Sequence, residues 1–92
     1  MRNEKIRNYI ADVCEGAIIF DSPDFDNSIV GITSDNQVVY DFDLMVEEFK
    51  NDNNCTEEEA SDFINYDTLR SIPYLDINRR PLVIINKLIE ED

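Results

Sequence analysis

Asp24-Phe25-Asp26-Asn27-Ser28 sets side-chain oxygens at positions 1, 3 and 5 of a loop, the spacing with which a calcium-binding loop begins. An EF-hand also needs glycine at position 6 and a bidentate glutamate at position 12. Those positions hold Ile29 and Asp35, so the pattern fails where the loop must turn and close. What remains is a loose oxygen set, Asp21, Asp24 and Asp26, whose capacity for a divalent cation the spacing leaves open.

Pro23-Asp24 followed by Glu48-Phe49-Lys50 has the PD and ExK elements of metal-dependent nucleases. The second element of such enzymes usually lies on a strand, whereas the apolar spacing here puts it at the end of an amphipathic helix. A nuclease also needs a basic surface for its substrate. There is no histidine, the commonest general base, and neither Cys14 nor Cys55 has a candidate partner that would activate its thiolate. Gly16 and Gly31, the only two glycines, cannot form a phosphate-cradling loop. The expectation is a protein without catalytic residues, metal site or cofactor, with a divalent-metal-dependent enzyme as the third-ranked alternative.

The residue type in excess is the carboxylate. Between positions 8 and 68 there are sixteen Asp and Glu and one base, Lys50. Six of the other seven bases lie in segments 2–7 and 79–87. With a net charge of −13, direct binding to nucleic acid is not expected, because counterion release requires clustered Lys and Arg. Anionic membrane surfaces are disfavoured for the same reason.

Some of these acids have local roles. Asp41 stands where a helix needs its N-cap, and Asp43 falls in the following first turn, where negative charge is favoured by roughly 0.3–1 kcal/mol. Glu57, Glu58 and Glu59 follow Thr56 as the first turn of another helix, and Asp67 is expected to cap a further turn. Asp21, Asp24, Asp26, Asp35, Glu47, Glu48, Asp52 and Asp62 lack so local an account. Ordinary helical surfaces mix both signs as i,i+4 pairs, and this chain mostly lacks them.

Duplex DNA carries one negative charge per about 1.7 Å of axis, and carboxylates spaced along two helices and a loop imitate such a stripe. The expected partner-binding face therefore comprises Asp21, Asp24, Asp26, Glu47, Glu48, Asp52, Glu58 and Asp62, with Phe25 and Tyr66 as apolar anchors and Tyr74 as a third aromatic candidate. The expected partner is a basic nucleic-acid-binding protein or nuclease. A homodimer, formed by a housekeeping or structural module that self-associates through an apolar patch, is the alternative.

The elements that position these residues are legible from periodicity. Ile6, Tyr9, Ile10, Val13 and Cys14 predict an amphipathic helix over 3–14, ending before Gly16. Ala17-Ile18-Ile19-Phe20, an apolar run without alternation, predicts a buried strand. Segments 29–33 and 37–40 predict a hairpin turning at Ser34-Asp35-Asn36, with Gly31 marking a bulge or close contact. Phe42, Met45, Val46 and Phe49 predict a second helix, broken by Asn51-Asp52-Asn53-Asn54. Thr56 and Glu59 form a capping-box signature for a third helix burying Ala60, Phe63 and Ile64. A short turn through Leu69 and Ile72 stops at Pro73, and Leu82-Val83-Ile84-Ile85 is a last strand. The order α-β-β-β-α-α-β predicts one α+β domain, a small mainly antiparallel sheet of about four strands packed by three to four helices.

Ninety-two residues with 42% hydrophobic content suit one folded domain. Two cysteines without an apolar leader suit reduced thiols in a bacterial host cytoplasm, and no apolar run approaches the length of a membrane span. The stretch FDSPDFDNSIVGITSDNQVVYDFDLMVEEF, continued by EEEASDFINYDTLRSIPY, resembles a group of short acidic proteins of gut Firmicutes, their phages and mobile elements. Tyr40-Asp41-Phe42-Asp43, Glu59-Ala60 and segment 66–74 carry the resemblance most specifically. It implies a compact domain in a bacterial or phage setting and brings no catalytic residues. By analogy with other small acidic phage proteins, the expected function is a DNA-mimic inhibitor of the anti-restriction or anti-CRISPR type.

Overall fold

Asn3 opens the first helix by accepting a 3.1 Å hydrogen bond from the Ile6 amide, and helix α1 runs Glu4–Val13 with Ile10 turned into the core. The computed structural model describes residues 2–21 and 23–85. The chain leaves α1 through Gly16, whose φ of +90° belongs to the left-handed region. A Cβ there would also lie 2.7 Å from Nη2 of Arg79, whose Nε donates to the Gly16 carbonyl at 2.8 Å. The left-handed φ is what calls for glycine here, since the exposed Arg79 side chain can move away from a Cβ.

The expected strand at 17–20 is not one. The segment is unpaired coil that lines the core: the Ile18 amide donates to the Arg79 carbonyl at 2.9 Å and the Phe20 amide to the Tyr40 hydroxyl at 3.0 Å. An apolar run reports burial, and burial here comes without a ladder of strand bonds. Asp26–Ser28 then forms a single 3₁₀ turn.

Strand β1, Ile29–Ile32, pairs antiparallel with β2, Val38–Asp41, and the register shifts between Ile29 and Gly31, as a bulge at that glycine requires. The turn is built by Thr33, whose hydroxyl accepts from the amides of Asp35 and Gln37, and by Asn36 at φ 66°. Helix α2, Phe42–Asn53, starts on the carboxylate of Asp41, which accepts from the Leu44 amide at 3.0 Å. It ends at Asn54, in the left-handed conformation. The capping box of α3, Glu57–Phe63, has both bonds in place, Thr56 Oγ1 from the Glu59 amide and Glu59 Oε1 from the Thr56 amide.

Helix α3 does not stop for a new cap. It passes through a π turn, Ile64–Thr68, into α4, Leu69–Ser71, and a final 3₁₀ turn, Ile72–Tyr74, containing Pro73. Asp67 thus lies inside a continuous helical path and caps nothing. Strand β3, Leu82–Ile84, joins β2 in parallel, because the long helical crossover returns the chain to the end where β2 began. Among the described residues the sheet has three strands in the order β1-β2-β3. The fold is α+β, but the sheet is mixed, with neither the four strands nor the largely antiparallel pairing expected.

Met45 and Val46 of α2, Ala60 and Ile64 of the α3 path, Val38 and Tyr40 of β2, and Phe20 and Phe25 of the connecting segment form one core. Aromatic rings run through it in a chain: Tyr40 against Phe20 at 4.8 Å, Phe20 edge-on to Phe25 at 6.1 Å, Phe25 over Phe49 at 6.3 Å and Phe49 stacked on Phe63 at 4.6 Å.

Candidate acidic interface

Two acids of the 21–26 segment, Asp21 and Asp26, are held by Arg7 of α1. Arg7 reaches across with Nε 2.6 Å from Asp26 Oδ2 and Nη2 3.0 Å from Oδ1, a bidentate fork. The same guanidinium donates to the Phe20 carbonyl at 3.1 Å and meets Asp21 Oδ1 at 3.1 Å. Asp26 also accepts from the Asn3 amide at 2.7 Å and is fully buried, with the Arg7 side chain 12% exposed. Hydrogen bonding to the Asp26 carboxylate pushes the Arg7 pKa up, against the opposing cost of burial. A buried carboxylate is stable only when its lone pairs are satisfied in this way.

Two expected contact residues are therefore corrected. Asp26 is an internal ion-pair partner, and Phe25, 1% exposed, is a core residue stacked on Phe49. Neither is available to a partner's surface. Asp24 is half-buried and its backbone pairs in an isolated antiparallel bridge with that of Asp21, whose side chain is exposed and engaged by Arg7 and Arg2. Among the described residues no group of three or more Asp, Glu, Cys or His side chains converges as a metal ligand set. Both cysteines are free, Cys14 buried and Cys55 half-buried.

Helix α2 carries two stripes. Phe42, Met45, Val46 and Phe49 face the core, while Leu44, Glu47, Glu48, Asn51 and Asp52, at i, i+3, i+4, i+7 and i+8, line an open cleft of about 370 Å³ with Asn27. Glu48 closes one wall: Oε1 accepts from the Ser28 hydroxyl at 2.8 Å, so it ties the 3₁₀ turn to α2 and is only half exposed. Glu48, expected on the partner-binding face, is instead partly spent on the fold, because Ser28 is buried and needs an acceptor. Glu47 is exposed and pairs with Lys50 at 3.6 Å, the i,i+3 partner, and Asp52 is exposed.

On the α3 path Glu58 and Asp62 are exposed, and no ion pair among the described residues reaches either. Tyr66 is 65% and Tyr74 89% exposed, so both present aromatic surface. Of the bases, Arg7 is committed to Asp26, Arg79 to the Gly16 carbonyl and Arg80 to the Ile72 carbonyl, while Lys50 stands on this side against Glu47 and Arg70 is exposed on α4. Sequence reasoning missed Asn27, Leu44 and Asn51 as cleft residues. The second helical stripe on α2 was the signal that would have found two of them.

Burial also pushes up the pKa of Tyr40, whose hydroxyl accepts from the Phe20 amide. That phenol belongs to the core and not to the acidic face. Among the described residues no helix is long and apolar enough to cross a membrane. No family model matches the chain, and neither the curated proteins nor the solved structures contain a match to it.

Proposed function

We propose that this protein is a small acidic interaction module whose α2–α3 carboxylates engage a basic nucleic-acid-binding protein or nuclease. It would act as a DNA-mimic inhibitor of the anti-restriction or anti-CRISPR type, in the cytoplasm of a bacterial host and in a phage or mobile-element setting. The observation that carries the reading is the segregation of charge: Glu58 and Asp62 stand exposed without a basic partner among the described residues, while three arginines are spent on internal contacts. A face of one sign attracts the opposite sign and speeds encounter, at the expense of self-repulsion within the fold.

The working face is narrower than the expected one, comprising Glu47, Asp52, Glu58 and Asp62 with Tyr66 as the aromatic anchor. The test replaces Glu47, Glu58 and Asp62 together with Lys, leaving Glu48 to its contact with Ser28. Capture of a nucleic-acid-binding protein from a Firmicute host should weaken as salt rises from about 50 to 200 mM, because screening reduces the attraction between exposed charges. The triple variant should lose capture with an unchanged circular dichroism spectrum. Undiminished capture would exclude this face.

A second reading, self-association, has its own support. Among the described residues β1 and β3 each have one side without a strand partner, and Val30 and Ile84 are about half exposed. Open apolar edges invite pairing. Sedimentation over a concentration series separates the readings: a stable dimer that survives the triple Lys variant favours self-association.

A further inference from the structure

A second concavity, of about 360 Å³, lies between the segment that follows α1 and the π turn of the α3 path. Phe20 and Phe63 supply aromatic walls, each fixed by a ring neighbour, Tyr40 and Phe49 respectively. Asp21 and Asp67 bring one carboxylate from each side. The Asp67 carboxylate makes no hydrogen bond or ion pair to any described residue, and both bases that reach Asp21 end on Oδ1.

Thr68 lines the same concavity and supplies the independent observation. It is 7% exposed, yet its hydroxyl makes no hydrogen bond to any described residue. No fully enclosed side-chain N or O among the described residues lacks a partner, so this oxygen opens into the groove. A helical threonine can bond back to the carbonyl of the preceding turn, and this one, in the π turn, makes no such bond. π turns inside α-helices recur at functional sites.

We infer that this groove binds an alkyl guanidinium, the side chain of an arginine presented by a polypeptide. Two carboxylates on opposing elements match its donors, and the aromatic walls match its planar, weakly hydrated faces. The Thr68 hydroxyl accepts one further N–H. A hard metal ion would need six to eight oxygens, which two carboxylates and one hydroxyl do not provide. A lysine ammonium, strongly hydrated and without a planar face, fits less well. The inference goes beyond the α2–α3 reading and does not depend on it.

The test is an NMR titration of the ¹⁵N-labelled protein with acetyl-Gly-Arg-Gly-amide, its citrulline and lysine counterparts, and free arginine. Shifts should centre on the amides of Asp21, Phe63, Asp67, Thr68 and Ser71. The uncharged citrulline peptide should bind at least about tenfold more weakly, the loss expected when a charge-assisted hydrogen bond becomes neutral. The lysine peptide should also be weaker, and so should free arginine, whose own carboxylate meets the acidic rim. Asp67→Asn and Thr68→Val should each weaken the arginine peptide several-fold, and Thr68→Val should not lower Tm because it removes an unbonded hydroxyl. The triple Lys variant of Glu47, Glu58 and Asp62 should retain the site. Equal binding of citrulline or lysine, tighter binding of free arginine, shifts centred elsewhere, or variants that bind as well as the parent would overturn the assignment.

Discussion

At the scale of single residues, Arg7 and Asp26 decide how the acidic loop is read. Their fork converts the centre of the Asp-rich segment from surface into core, and its local sequence does not show this because the partner lies 19 residues away. The nearest signal is Arg7 itself, one of the bases clustered near the N-terminus opposite an otherwise uncompensated loop. Removing one partner strands a buried charge, so Asp26→Ala should destabilise the fold by about 3–5 kcal/mol in urea unfolding. A loss below about 1 kcal/mol would mean that the pair is solvated. Tyr40 yields a pH dependence. Its folded pKa is raised above the ordinary value of 10.0, so above that pH the unfolded chain releases a proton that the folded state keeps. Its contribution to stability is therefore complete below pH 10 and declines above it, by up to about 1.4 kcal/mol per pH unit. Unfolding of wild type and Tyr40→Phe at pH 9 and 11 should show the wild type losing its advantage over the variant. A constant difference would contradict the burial of that phenol.

At the scale of elements, local chemistry was legible and remote pairing was not. The capping box, the Asp41 cap, the 33–37 turn and the bulge at Gly31 each depend on residues within a few positions of one another, and each is found where the spacing puts it. The strand expected at 17–20 failed because its amides find Arg79 and Tyr40 instead of a neighbouring strand. The parallel place of β3 was equally hidden, since only the crossover decides it. The two glycines show the same division. Gly16→Ala meets both a positive φ and the Arg79 guanidinium and should lower stability by about 1 kcal/mol or more. A Cβ at Gly31 meets nothing within 4 Å, so Gly31→Ala should be neutral or stabilising by up to about 1 kcal/mol. Comparing the two Tm values tests that assignment, and equal losses would refute it.

At the scale of the whole molecule, the net charge of −13 is concentrated on the α2–α3 side, where segment 41–71 carries ten Asp and Glu against Lys50 and Arg70. Self-repulsion on that side makes the fold salt-sensitive. Raising the ionic strength from about 0.01 M to 1 M shortens the screening length from about 30 Å to 3 Å and should raise Tm by several degrees, since about 1 kcal/mol corresponds to roughly 4–8 °C for a domain of this size. An unchanged Tm would mean that the carboxylates are already neutralised. Of the candidate face, Glu47 and Asp62 were legible as exposed positions from amphipathic spacing, whereas the tie of Glu48 to Ser28 and the loss of Phe25 and Asp26 to the interior required the tertiary fold. The most direct test of the acidic face as a nucleic-acid mimic is competition. A labelled duplex bound to a captured nucleic-acid-binding partner is titrated with the wild-type protein and with the Lys variant of Glu47, Glu58 and Asp62. The account predicts complete displacement by the wild type, weakening as salt rises, and none by the variant. Stable co-occupancy of duplex and wild-type protein on the same partner would contradict it.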